Sequence, residues 1–167
     1  YLLCYFQVVI DMKESMIRII TVLFRKSQSC LSLLLSKYNL TAAEQPFFAA
    51  LQKCDGITQD ELSSLISVDK SATARTIKLL EEKGYVTRVK DEQDRRQNRV
   101  FLTEKARECW PNVQRELMRF NELLTQNIDA NTLGIVYAAL KNMEENAIYL
   151  SMNKDILAEQ EGMASGQ

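Results

Sequence analysis

At 167 residues the chain is long enough for one domain with a real core and short for several. Its composition, 46% hydrophobic and 26% charged, is that of an ordinary globular protein, and a net charge of −1 argues against binding nucleic acid by bulk attraction. The lack of histidine excludes Ser-His and Cys-His nucleophiles and His-based zinc sites, while four widely spaced cysteines form no CxxC pair.

The run Tyr1 to Ile10 is apolar but too short to span a bilayer, which takes about 20 residues, and it lacks the positive flank of a secretory signal. Met12-Lys13-Glu14 makes a natural start, so the first eleven residues carry no functional weight. From Lys13 to Tyr38, Ile17, Ile20, Phe24, Leu31, Leu34 and Leu35 recur at helical spacing and predict one long helix, with a bend near Ser27 to Ser29. Thr41 and Glu44 form a capping-box pair, predicting a second helix over Ala42 to Lys53 with Pro46 in its first turns. Asp55-Gly56 is a turn signal.

Thr58 and Glu61 repeat the capping pattern ahead of Leu62, Leu65 and Ile66, a short third helix. After Ser67-Val68, Asp69 caps a fourth helix with the inner face Thr73, Ile77 and Leu80, and Gly84 ends it. The period then changes. Tyr85 to Lys90 and Arg99 to Thr103 read as two strands, with Val100 and Leu102 on one face and Arg99 and Phe101 on the other. The charged run from Asp91 to Asn98 joins them as a hairpin tip. A fifth helix follows to about Asn127, with Val113, Leu117, Phe120 and Leu124 along one face and a kink at Pro111. A last helix begins at Asp129 to Thr132 and bears Val136, Leu140, Met143, Ala147 and Leu150; from Ala158 the tail is expected to fray.

The fold class is therefore mainly α with a small β-hairpin wing: a winged helix-turn-helix flanked by long dimerisation helices. The segments are 12–56 (N-terminal helices), 57–103 (winged lobe) and 104–153 (C-terminal helices). The apolar faces of the long end helices exceed what the central module can cover, and a second copy of the chain is the simplest partner.

Between Asp69 and Arg99 nine basic residues face six acidic ones, a positive block in a chain that is negative elsewhere. In a helix-turn-helix the second helix meets base edges with its first residues. Lys70, Ser71, Ala74, Arg75 and Lys78 lie away from the inner face of that helix. Arginine can bond guanine twice, serine a phosphate or base, and alanine can pack on a thymine methyl. Arg95 and Arg96 sit at the hairpin tip, where no core requires them and a narrow minor groove attracts arginine. Asp94 is placed to orient one of them by a charge-assisted hydrogen bond, and Arg99 completes the basic wing. A solvated turn with weak local ion pairs is the competing account of the same residues.

The run from Leu62 to Arg75, then Leu80-Glu-Glu-Lys-Gly-Tyr-Val86, then Asp94-Arg-Arg-Gln-Asn-Arg-Val-Phe-Leu-Thr103, resembles the MarR family of regulators. The resemblance extends over nearly the whole chain beyond about Met12. It implies a cytoplasmic homodimer that binds double-stranded DNA at a pseudo-palindrome and acts as a ligand-responsive repressor. Asp94 and Arg96 match the family's wing Asp and Arg, and Ser71 and Arg75 its recognition-helix positions. Ala72 and Ala74 stand where many members have threonine, which shifts readout towards DNA shape. Family members often respond to small aromatic or phenolic effectors. Others sense oxidants through a cysteine, for which Cys30 and Cys54 are the candidates here, although Cys30 lacks a tyrosine-rich setting. Sparse, unpaired cysteines fit a reducing compartment and read as buried or half-buried thiols acting as small apolar residues.

Two rival classes remain. No catalytic apparatus is legible, the five glycines form no phosphate-cradling loop, and the carboxylates Glu144-Glu145 read as a solvated face, so neither an enzyme nor a cofactor is implied. A winged helix used for protein–protein contact would not need the basic residues of the recognition helix and wing. Nothing in the reading calls for a membrane.

Overall fold

The computed structural model describes residues 2–92 and 94–153, with side chains from Met16 onward. The expected fraying from Ala158 lies outside the described residues. The chain divides into two compact units, Tyr1–Phe120 and Asn121–Gln167.

Helix α1 (Leu2–Leu35) starts well upstream of the expected Lys13 and runs unbroken through Ser27 to Ser29, where a bend was expected. A single 3-10 turn (Ser36–Tyr38) follows, closed by Asn39 in the left-handed region at φ 54°. The Thr41–Glu44 capping box forms: Thr41 N–H donates to Glu44 Oε2 at 2.8 Å and Glu44 N–H to Thr41 Oγ1 at 3.3 Å. It closes a preliminary turn, so α2 (Gln45–Lys53) begins three residues later than expected, with Pro46 in its first turn where no amide donor is needed.

Strand β1 (Ile57–Thr58) was not anticipated; two residues are too few to show an alternation. It precedes α3 (Gln59–Leu65) and α4 (Lys70–Glu82), and β2 (Val86–Lys90) and β3 (Asn98–Leu102) form the hairpin. The sheet is antiparallel in the order β1-β3-β2, with Ile57 opposite Val100 and Val86 opposite Leu102. Tyr85 and Thr103 fall just outside the strands, but Thr103 N–H still donates to the Tyr85 carbonyl at 3.0 Å. Helix α5 (Glu104–Leu124) carries Pro111 inside it and runs on past it. Helix α6 (Ala130–Met152) is capped by Asp129, whose carboxylate accepts from the amides of Asn131 and Thr132.

The core of the first unit gathers one residue or more from each element around the winged lobe: Leu35, Phe48, Leu51, Leu62, Ile77, Leu80, Val100 and Val113 are completely buried. Phe48 meets Tyr85 and Trp110 edge-on, at centroid distances of 5.3 and 5.7 Å. Burying such side chains supplies about 1.5–3 kcal/mol each. Val100 and Leu102 point into this core, as the strand alternation predicts.

The long helices are another matter. Ile17 and Phe24, expected on an inner face, are each 62% exposed, and among the described side chains of α1 only Leu35, at its end, enters the core. Helix α6 buries none of its residues; Val136, Leu140, Tyr137 and Tyr149 are all exposed. By length and composition Met16–Tyr38 is apolar enough to cross a membrane, which a test confined to Tyr1 to Ile10 overlooks. Arg18, Arg25 and Lys26 interrupt its apolar surface.

Candidate nucleic-acid interface

The recognition helix is held at both ends by local chemistry. At its approach, Thr58 and Glu61 cap α3 reciprocally: Glu61 N–H donates to Thr58 Oγ1, and Thr58 N–H to Glu61 Oε2 at 2.9 Å. These bonds from the Thr58 amide and hydroxyl hold the Glu61 carboxyl below the usual range. The chain then turns through Ser67 in the left-handed region, and Val68 N–H closes the turn on the Ser63 carbonyl at 3.0 Å. Asp69 caps α4 by accepting the Ala72 amide at 2.8 Å.

Thr73, Ile77 and Leu80 are the buried face of α4, as their spacing predicts. At its end Gly84 N–H donates to the Glu81 carbonyl and Tyr85 N–H to the Leu80 carbonyl, a Schellman closure that needs Gly84 at φ +74°. Three contacts tether this end. Lys83 Nζ lies 2.6 and 2.7 Å from the two oxygens of Glu44, a carboxylate only 2% exposed. The Tyr85 hydroxyl donates to the Tyr38 carbonyl at 2.5 Å, and Lys105 Nζ donates to the Lys83 carbonyl at 2.6 Å while lying over the Tyr85 ring. Burial, then the neighbouring Cys109 thiol, pushes the Tyr85 phenol well above its ordinary range.

The wing is fastened to α4 by Arg88 on β2, which pairs with Glu81 at 2.5 Å and holds that carboxyl below the usual range. Its tip is organised by two carboxylates. Asp91, nearly buried, accepts the Asp94 amide at 2.9 Å and the Arg99 Nε at 2.5 Å. Asp94 accepts the backbone amide of Arg96 at 3.0 Å and the Gln97 side-chain amide at 3.3 Å. The expected bond from Asp94 to an arginine guanidinium is thus replaced by one to the arginine's backbone. A short side chain reaches an amide two residues on more readily than a long flexible head group.

Eight of the nine sequence-predicted residues fall into two groups. Lys70, Ser71, Ala74, Arg75 and Lys78 share the exposed side of α4, and Asp94, Arg95 and Arg96 stand exposed at the tip. Between α4 and the wing lies a cleft of about 390 Å³ that brings Lys70, Ala74 and Arg96 together with Gln59, Asp60 and Gln97. Lys70 is engaged there with Asp60 at 2.6 Å, and Lys78 approaches Glu82 at 3.8 Å. Arg99 stands apart. Its guanidinium is occupied by Asp91 and by the Gly56 carbonyl at 2.9 Å, tying β3 to the turn before β1. The pairings of Lys83 with Glu44, Arg88 with Glu81 and Asp91 with Arg99, which help position the interface, escaped sequence reasoning because each joins residues of different elements.

The cysteines also differ from expectation. Cys30 and Cys54 are exposed rather than interior. The thiol beside a tyrosine is that of Cys109, 3.8 Å from the Tyr85 hydroxyl. Among the described residues no group of side chains is arranged to hold a metal ion.

This geometry has many counterparts. Residues 49–97 match the model of the MarR family. A MarR transcriptional regulator from Methanosarcina mazei Go1 is 34% identical, with a TM-score of 0.77 over 82% of this chain and 99% of that one. A mutant of MarR from E. coli complexed with operator DNA is 27% identical, with a TM-score of 0.71 over 75% of this chain and 91% of that one. In sequence, the uncharacterized HTH-type transcriptional regulator YybA of Bacillus subtilis (strain 168) is 28% identical over 108 residues, 65% of this chain and 72% of YybA. The motifs of the recognition helix and wing, their arrangement in space and these likenesses agree: the chain belongs to the MarR family of DNA-binding transcriptional regulators.

Proposed function

We propose that the protein is a cytoplasmic, ligand-responsive repressor that binds a pseudo-palindromic operator as a homodimer. The observation that carries this is the shared exposure of Lys70, Ser71, Ala74, Arg75 and Lys78 on α4 with Arg95 and Arg96 on the wing, on either side of one open cleft. In this reading α4 enters the major groove, where Arg75 and Ala74 face base edges and Ser71, Lys70 and Lys78 face phosphates. Arg95 and Arg96 reach the flanking minor groove. Asp94 shapes the tip, and Arg99 braces it from within. The E. coli relative has been solved in complex with operator DNA, which supports an operator as the partner.

Segments 12–56 and 104–153 are assigned to dimerisation and 57–103 to DNA binding. The exposed apolar side chains of α1 and α6 support the pairing, since surfaces of this kind are costly in water. The same pairing accounts for the apolarity of Met16–Tyr38 without a bilayer. A small aromatic or phenolic effector is the assigned stimulus. A recess of about 450 Å³ lined by Tyr38, Asn39, Glu108 and Cys109 among others is the place assigned to such a ligand.

The test is fluorescence-anisotropy titration against the protein's own upstream intergenic DNA at two salt concentrations, with the double variant Arg95→Ala/Arg96→Ala alongside. Tight, salt-sensitive binding that the variant weakens is expected. Binding no tighter than to random duplex would leave two readings: an operator elsewhere, or a winged helix that serves protein partners.

A further inference from the structure

We propose that Asp60 sets the affinity of the DNA interface: its carboxylate holds Lys70 and opposes the phosphate that would take the lysine over, weakening binding to every duplex alike. The proposal rests on the reading that α4 and the wing face duplex DNA.

Asp60 stands in the first turn of α3 and Lys70 opens α4; Nζ and Oδ2 are 2.6 Å apart. Both side chains are open to solvent, 52% and 72% exposed, and both line the cleft between α4 and the wing. The Asp60 carboxylate takes no part in the cap of α3, and as an acid in the first turn it adds only a modest dipole term to the helix. Thr58 and Glu61 already cap α3, and it is the Asp60 backbone carbonyl, not its side chain, that accepts from the Ser63 and Ser64 hydroxyls. An acid thus stands on a surface where, among the described residues, its side chain pairs with a cation of the recognition helix.

The geometry fixes the sign of its effect. A phosphate oxygen bonded to Lys70 Nζ lies about 2.8 Å from it. It is then no more than about 5.5 Å from the carboxylate oxygen that the lysine already holds. At that distance two negative charges in bulk water disfavour each other by about fourfold in the binding constant, and by more where the cleft excludes water. The pair also mutes the salt response. A lysine whose charge is matched within the protein releases fewer counterions from DNA than an unpaired one. Phosphate contacts carry no sequence information, so the effect shifts all duplexes together and leaves their ranking to the base-facing groups.

The experiment compares wild type, Asp60→Asn, Lys70→Met and the double variant by anisotropy across a salt series, with the upstream intergenic duplex and a random duplex. Circular dichroism and melting temperature confirm that each variant is folded. At the lowest salt of the series Asp60→Asn is expected to tighten binding to both duplexes by about fourfold, a gain that shrinks as salt rises because the slope of log K against log salt steepens by about 0.9. Combining it with Lys70→Met removes most of the gain. Binding equal to or weaker than wild type would overturn the proposal, as would an unchanged salt slope, a gain undiminished by Lys70→Met, or a gain confined to one duplex. A wild-type protein that binds neither duplex would overturn the underlying DNA-interface reading as well, which separates the two failures.

Discussion

Replacing Lys83 by Met should destabilise the protein far more than a surface substitution, because it strands a charge. Glu44 is 2% exposed and both its oxygens lie within 2.7 Å of Lys83 Nζ. Removing one partner of a buried ion pair costs about 3–5 kcal/mol when nothing compensates. Here the Thr41 amide still donates to Glu44 Oε2, and the Lys83 side chain is itself 18% exposed, so water can reach part of the site. A loss of about 2–3 kcal/mol is therefore expected, with a fall in melting temperature of roughly 5–10 °C. The companion variant Glu44→Gln/Lys83→Met removes both charges while the Gln oxygen keeps the Thr41 bond. It should recover to within about 1 kcal/mol of wild type. Urea denaturation of the two variants and the wild type is the assay. A Lys83→Met loss below about 0.5 kcal/mol, or a double variant no better than the single one, would refute the reasoning.

Two glycines with the same backbone sign should respond differently to alanine. Gly84→Ala meets nothing closer than 3.9 Å and incurs only the left-handed backbone cost, about 1–2 kcal/mol, whereas a Cβ at Gly56 would fall 2.7 Å from Phe101 Cε1 and must displace the ring. Gly56→Ala should lose at least about 1 kcal/mol more by urea denaturation; equal losses would show that the Phe101 contact is easily relieved. The acid limb of stability should owe part of its slope to Glu61 and Glu81, both held below the ordinary 4.5 in the folded chain. Depressed folded values mean that the unfolded chain binds more protons, so the contribution is complete above the unfolded value and fades as pH falls through the folded ones. Melting temperatures from pH 3 to 7 should show a shallower acid limb for Glu81→Gln; an identical limb would remove the Arg88 pair from the account.

What could be read from the sequence follows the range of the interactions. The inner face of α4, the caps at Thr58 and Asp69 and the closure at Gly84 all depend on partners within a few residues. The hairpin followed from a change of period together with a charged tip. Strand β1 was hidden because its partner, β3, lies some forty residues on and two residues show no alternation of their own. Likewise Arg99 reads in sequence as part of the same basic wing as Arg95 and Arg96. Only the fold brings Asp91 and the Gly56 carbonyl to it, which turns an expected ligand contact into a brace. The start of α1 was misplaced for another reason: a residue type chosen as a plausible beginning is no helix signal, and Leu2 to Asp11 continue the same periodic helix.

The hydrogen bonds at the wing tip have an entropic meaning. Asp91 and Asp94 together hold the backbone amides of Asp94 and Arg96, and Gln97 N–H closes on the Asp94 carbonyl at 2.9 Å. That part of the tip has its main-chain freedom removed when the protein folds. When Arg95 and Arg96 enter a groove, the ordering still to be done falls mainly on their side chains, about 2 kcal/mol each, rather than on the loop that carries them. Loosening Asp91 or Asp94 would defer the backbone ordering to the moment of binding. The affinity would drop although no group facing the DNA had changed.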